Sequence, residues 1–335
     1  MYNKTLFTVT LTVGTLIAIA SYSWMGMWIG LEINLLSFIP LMTDAKNKMA
    51  TEAALKYFIT QALASTLLLF SLILMSMDLT TSAMVGLGLK LITNTSLLTK
   101  MGAAPFHFWF PEVIEGLSWT NSAILLIWQK IAPMALIMFF NITQTYLTLV
   151  VITCMMVSGL MGMNQTSLRK ILAYSSINHI GWMLSAMWFS ETLWILYFLV
   201  YSVITASILL IFSSLNIFFL AQLPNAIAYD LPIKLFTMLN FMSLGGLPPF
   251  LGFFPKWITI QTLVSSKFFL VSTLMVVMTL LTLYFYIRVV FSAILLGANE
   301  MNFHHQRKIN KFLMFTLSVV SIVGLVLSTA LFNYL

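Results

Sequence analysis

The chain has 335 residues, of which 60% are hydrophobic and only 7% charged, against roughly 25% charged in an ordinary soluble domain. Nine acidic and sixteen basic side chains cannot cover a protein of 37.8 kDa, and a mean hydropathy of +0.99 excludes a water-soluble globule. The net charge of +7 comes from scattered basic residues, so a nucleic-acid-binding patch is excluded too.

At roughly 20 residues per spanning helix the length admits about ten to twelve spans and no sizeable soluble domain. The start lacks the Arg- and Ser-rich character of an organellar transit peptide, and Leu6 to Ala20 reads as a retained first helix. Apolar runs bounded by polar clusters predict eleven spans: 5–21, 24–42, 52–77, 82–110, 120–140, 145–163, 167–188, 191–215, 234–264, 269–296 and 312–333. The expected class is an all-α polytopic membrane protein, residues 1–335 forming one transmembrane domain.

The second span carries Glu32 near its middle, too deep for a short carboxylate to reach either headgroup layer. An ionised side chain there costs about 2.5 to 3.5 kcal/mol, so it reads as functional, with a structural ion pair as the alternative. Lys56 and Glu52 stand one turn apart near the start of the third span, where snorkelling or loop pairing is the default.

The fourth span is too long for one helix and is interrupted at Gly102-Ala-Ala-Pro105, with Lys100 just before the break and His107 just after it. Opened backbone at membrane depth is tolerated only where it is buried in protein or lines a wet cavity, so a lysine and a histidine flanking it suggest a proton relay. Lys90 carries no functional expectation. Lys130 lies near the centre of the fifth span, where snorkelling would need a reach of roughly 15 Å.

In the seventh span His179 follows Ser175 by one turn, and reads equally as a relay member or a packing histidine. The ninth span breaks at Gly245-Gly-Leu-Pro248-Pro249, and Lys256 follows that break as the counterpart of the first site. Arg288, two turns from the end of the tenth, reads by default as a snorkelling or loop-pairing side chain.

The broken segments are five spans apart, so they run in opposite directions, as an inverted-topology repeat requires. The first repeat is expected over about 1–143 and the second over about 144–297, followed by a C-terminal helix at 312–333. Under this count the N-terminus and the even-numbered loops hold Lys4, Lys46, Lys48, Arg169, Lys170, Lys234, Arg307, Lys308 and Lys311, against Lys267 opposite. The positive-inside rule then puts the N-terminus on the cytoplasm-equivalent side and Leu335 across the membrane.

Desolvation disfavours the ammonium of a buried lysine and a nearby carboxylate favours it, so moving the partner switches proton loading to release. The single Cys154 and four histidines exclude a four-thiolate iron–sulfur cage. There is no Walker loop, HExxH helix or GxSxG elbow, and no Cys/His metal spacing. The 23 methionines and 27 phenylalanines read as core and lipid-facing filler.

Five motifs in order carry a resemblance: Leu31-Glu32-Ile-Asn34-Leu-Leu-Ser37-Phe, Gly102-Ala-Ala-Pro-Phe-His107-Phe-Trp109, Trp128-Gln129-Lys130-Ile-Ala-Pro133, Asn164-Gln-Thr-Ser-Leu-Arg169-Lys170 and Gly245-Gly-Leu-Pro-Pro-Phe-Leu-Gly-Phe. From about residue 20 to about 290 the chain resembles the antiporter-like membrane-arm subunits of mitochondrial NADH:ubiquinone oxidoreductase, respiratory complex I. Lysine at 256 favours a shorter antiporter-like subunit over the one at the arm's far end, and eleven spans match the animal form, with an insect-like source fitting the Met-rich composition.

The resemblance implies a subunit of a proton-translocating NADH:ubiquinone reductase in the mitochondrial inner membrane, its N-terminus in the matrix and its C-terminus in the intermembrane space. It implies no cofactor on this chain, NADH, FMN, iron–sulfur clusters and ubiquinone belonging to other subunits. Its implied partners are other membrane-arm subunits, neighbouring antiporter-like chains and membrane phospholipid. Carried over by position, the input carboxylate is Glu32 with Lys100 as its partner, and the central and output lysines are Lys130 and Lys256. Lys56, His107 and His179 follow with lower weight. A free-standing cation/proton antiporter of the same superfamily is the alternative.

Overall fold

The computed structural model describes residues 2–44, 47–77, 83–140, 143–227, 231–295, 315, 316, 318–322 and 324, and these are overwhelmingly helical. Two compact units divide the chain, Met1–Val150 and Val151–Leu335.

The first unit begins with α1 (Tyr2–Ala20), α2 (Trp24–Met42) and α3 (Lys48–Ser76). Ser23 caps α2 by accepting from the Gly26 N–H, and Asn47 caps α3 by accepting from the Met49 N–H, which satisfies donors that a helix start leaves orphaned. Next come α4 (Ala83–Met101), α5 (Trp109–Gly116), α6 (Trp119–Leu126) and α7 (Ile131–Phe139). The expected fourth span is thus two helices, α4 and α5, around the Gly102–Phe108 break.

The fifth span is also interrupted, which was not expected. A 3-10 turn over Trp128–Lys130 separates α6 from α7. Pro133 explains it: proline has no N–H for the Gln129 carbonyl, and its ring crowds that carbonyl, so the backbone tightens one turn earlier.

α8 (Gln144–Gly162) crosses the division between the units. The second unit continues with α9 (Leu168–Met187), α10 (Glu191–Leu215), the short α11 (Leu223–Ile227), α12 (Leu231–Gly245), α13 (Phe253–Ser265) and α14 (Phe269–Leu295). Between the expected spans 191–215 and 234–264 lie α11 and Phe219, which makes an isolated bridge to Ser167. Most of the expected 312–333 helix, with Arg307, Lys308 and Lys311, lies outside the described residues. Its described part is helical and docks on α12 and the second break through Asn240 to Ser318, and through the Leu251 N–H to the Ser321 carbonyl at 3.2 Å.

Six described helical segments are long and apolar enough to cross a membrane. Their outward faces carry Leu55, Leu63, Phe70, Leu199, Leu270 and Leu280, all exposed, while Asn34, Gln61, Asn178, His179, Asn240 and three lysines are buried. An apolar exterior around a polar interior is the arrangement lipid selects.

The two units repeat their local structure at a constant spacing of 144 residues. Ser167 caps α9 as Ser23 caps α2, α12 ends where α4 ends, and α13 starts where α5 starts. The match reaches single residues: Ile33-Asn34 against Ile177-Asn178, Tyr57 against Tyr201, and Gly102-x-x-Pro-Phe-x-x-x-Phe-Pro against Gly246-x-x-Pro-Phe-x-x-x-Phe-Pro.

Candidate functional site

Each unit builds its site around a broken helix, and both breaks open the same way. Gly102 and Gly246 take left-handed φ values of +73° and +76°, a conformation that costs an L side chain roughly 1–2 kcal/mol. Behind Gly102, its N–H donates to the Thr99 carbonyl and the Ala103 N–H to Leu98, both at 3.1 Å. Gly246 donates to Ser243 at 3.0 Å and Leu247 to Met242 at 3.3 Å. These are paired Schellman terminations, and they leave only the last carbonyls of each helix to be satisfied from elsewhere.

In the first unit a neutral group takes part: the Gln61 amide reaches the Lys100 carbonyl at 3.4 Å, and the Trp109 indole N–H adds a second bond to the Thr99 carbonyl at 3.1 Å. In the second unit an ammonium does it: Lys256 Nζ donates to the Leu244 and Gly245 carbonyls at 3.2 and 2.8 Å, with the Trp182 ring centroid 6.0 Å away.

Lys100 stands in the last turn of α4 and is 7% exposed, its Nζ buried without a hydrogen-bond partner. Beside it Asn34, Tyr57, Gln61, Lys100 and Gln129 line a polar cavity of about 10 Å³, the room a single water needs. The Gln129 amide donates to Asn34 Oδ1 at 2.9 Å across this cavity, tying the 3-10 turn to α2. Lys130, the next residue, is 1% exposed.

Glu32 is half-buried on α2, and its Oε1 is buried without a hydrogen-bond partner. It interacts electrostatically with Lys100, its expected partner, and the two make no ion pair within 4.0 Å. Spacing along helices fixes depth in the membrane but not the distance between facing side chains. His107 lies inside the first break, buried, with Nδ1 3.3 Å from the Pro105 carbonyl.

In the second unit His179 is buried on α9, and its Nδ1 is 2.9 Å from the Tyr197 hydroxyl on α10. Ser175, one turn earlier on the same face, donates to the Leu172 carbonyl at 2.8 Å. Of its two readings, snorkelling and loop pairing, Arg288 shows the second. Its guanidinium turns inward to the Met163 carbonyl at 2.6 Å and to that of Gln165, oxygens left open beyond the end of α8. Lys90 is exposed on α4.

Lys56 pairs with Glu52 as expected, and also with Glu112 on α5, each at 2.9 Å. Glu112 was missed by reading apolar runs for internal charges, because it stands beyond the break at the edge of a span. Comparing the sequence with itself at a spacing of 144 finds it at once, since Glu112 is the counterpart of Lys256 position for position, and Lys100 that of Leu244. Lys256 therefore mirrors the first break, but not its lysine.

The family model described as NADH:quinone oxidoreductase/Mrp antiporter, TM, matches residues 21–282. A curated relative from Anopheles gambiae, NADH-ubiquinone oxidoreductase chain 2, is 45% identical over 335 residues, covering 98% of each chain. The protein of the same name from Locusta migratoria is also 45% identical, covering 97% of each. Among solved structures, a chain of respiratory complex I from Thermus thermophilus with bound aureothin superposes with a TM-score of 0.89 at 23% identity, covering 98% of this chain and 79% of that one. The agreement in fold, the extent of the family match and the near-complete coverage at 45% identity place this chain in the NADH:quinone oxidoreductase/Mrp antiporter transmembrane family, among its chain 2 members.

Proposed function

We propose that this chain is a proton-translocating membrane-arm subunit of mitochondrial complex I. It couples NADH oxidation and ubiquinone reduction, carried out by other subunits, to proton movement across the inner membrane, and it bears no redox group of its own. Neighbouring antiporter-like subunits and membrane phospholipid surround it.

The observation that carries this reading is the set of buried lysines inside an apolar shell: Lys100 and Lys130 in the first unit, Lys256 in the second. Each costs several kcal/mol to keep in a membrane, and each stands at a helix break. Glu32, Lys100, Lys130 and Lys256 handle the protons, with Lys56, His107 and His179 assisting. Lys100, held without a fixed partner near Glu32, can gain or lose a proton as that carboxylate moves, because opposite charges at 4 Å attract by about 4 kcal/mol at an effective dielectric near 20.

The finer architecture belongs to the same reading: eleven spans, inverted five-helix repeats over about 1–143 and 144–297, and a C-terminal helix at 312–333. The constant spacing of 144 residues supports the repeat, and the odd number of spans between the breaks supports its inversion. The distribution of lysine and arginine supports an N-terminus in the matrix and a C-terminus in the intermembrane space.

Native electrophoresis of gently solubilised inner membranes, with an in-gel NADH dehydrogenase stain and detection of this chain by mass spectrometry, tests the assembly. Comigration with the large NADH-oxidising complex is expected. Migration alone, under conditions that preserve that complex, would favour a free-standing antiporter instead.

A further inference from the structure

We propose that Glu112 is a positioning residue for proton translocation, holding Lys56 between two acids so that the seam between α3 and the second half of the first broken helix, α5, can switch. This rests on the proton-translocating reading above.

Three observations carry it. First, Glu112 occupies in the first unit the place Lys256 occupies in the second, on identical backbone frames 144 residues apart. Secondly, the partner position changes with it. The counterpart of Lys56 is Val200, so the first unit has Lys56 with Glu112 where the second has Val200 with Lys256. The acid at this position comes with a cation at position 56, and the lysine at its counterpart comes with an apolar residue at position 200. Thirdly, Glu112 takes no part in closing its break, since a carboxylate has no donor to offer a carbonyl. The Gln61 amide serves the Lys100 carbonyl, the counterpart of the Leu244 carbonyl that holds Lys256 inside the second break.

Glu112 instead reaches from α5 to Lys56 on α3, whose other partner, Glu52, belongs to α3 itself. Both bonds are 2.9 Å, and all three side chains are part-exposed. If α5 moves away, Lys56 keeps Glu52 and remains paired, so the seam opens without stranding a bare ammonium. If α5 returns, the second bond re-forms. A single lysine shared by acids on two elements makes a seam with two permitted states. Because α5 continues the chain directly from the break that holds His107, this seam sets how far the break can open.

The test measures proton pumping per NADH oxidised in inner-membrane vesicles whose complex has normal size on native gels. Glu112→Gln is expected to lower pumping and coupled NADH oxidation by about threefold or more, and Glu112→Asp to restore most of it, while NADH oxidation by an artificial acceptor that bypasses the membrane arm stays unchanged. Normal pumping in Glu112→Gln overturns the proposal. If Glu112→Gln fails to assemble, the apolar pair Lys56→Met with Glu112→Leu is read instead, since it keeps the seam packed without charge. Assembly with impaired pumping supports the switch. Assembly with full pumping, or failure to assemble, makes the pair a structural tie and overturns it. Lys130→Ala is run alongside. Full pumping in that variant defeats the functional reading itself, whereas loss there with normal Glu112→Gln defeats only this inference.

Discussion

Lys256 Nζ lies 2.8 Å from the carbonyl oxygen of Gly245, the last residue of α12. A charged group therefore closes the end of a broken helix while also being the group proposed to carry protons. The helix C-terminus concentrates partial negative charge on its open carbonyls, which favours the ammonium in a setting where desolvation opposes it. Losing the proton removes one donor from this cap, so the protonation of Lys256 and the closure of the break are linked.

Lys256→Met keeps the side-chain bulk and removes the donor. Two buried carbonyls then lose a charged partner, at a cost of about 1–3 kcal/mol each. The expected outcome is a drop in NADH-driven pumping of about tenfold or more, with a modest loss of assembled complex on native gels. Unimpaired pumping would reduce Lys256 to a structural cap.

Gly246→Ala tests the same link through the backbone. The φ of +76° strains any L residue, and an added Cβ would stand 2.7 Å from Lys256 Cδ and 2.9 Å from its Nζ. Gly102→Ala meets similar backbone strain, but its nearest neighbours are carbons of Phe110 at 3.0 Å, with no lysine in the way. Pumping should therefore fall further in Gly246→Ala than in Gly102→Ala at equal levels of assembly, measured by vesicle acidification.

Helix boundaries were largely legible in the sequence because lipid imposes a simple rule: apolar runs of one bilayer's length, ended by polar clusters. The expected 24–42 and 191–215 are the observed α2 and α10. Both Gly/Pro breaks were legible for the same reason, since proline and glycine act locally. What stayed hidden depends on distance across space. Glu32 and Lys100 were expected as partners, and the sequence did not say that they interact without an ion pair within 4.0 Å. For Arg288 the sequence left snorkelling and loop pairing open, and only the structure shows it binding the carbonyls of residues 163 and 165. The 3-10 turn before Lys130 had a visible cause in Pro133, and Glu112 had one in the 144-residue spacing. In both cases the signal was present in a relation between positions rather than in a single residue type.

Pro133→Ala follows from that turn. Restoring an N–H at position 133 lets the Gln129 carbonyl take up an ordinary helical bond, so α6 and α7 should join into one helix. Winding out the 3-10 turn rotates Lys130 about the helix axis and pulls Gln129 from its 2.9 Å bond to Asn34. Slower backbone hydrogen exchange over 128–133 is expected, together with pumping lowered by about threefold or more. A more regular helix with unchanged pumping would show that the placement of Lys130 tolerates rotation.

Glu32 tests whether charge at a distance suffices. With no ion pair to Lys100, the carboxylate can act on it only through its field, which the low dielectric of the helix interior transmits well. Glu32→Asp keeps the charge and moves it by about one methylene, whereas Glu32→Gln removes the charge and keeps the shape. If the field matters, Glu32→Gln should lower pumping by about tenfold or more and Glu32→Asp much less. The contrast with Gln61→Leu completes the argument, because Gln61 touches the Lys100 backbone carbonyl and carries no charge. Its loss should weaken the break while leaving the Glu32 charge in place. Equal pumping in Glu32→Gln and Glu32→Asp, measured beside Gln61→Leu in assembled complex, would mean that Glu32 serves packing alone.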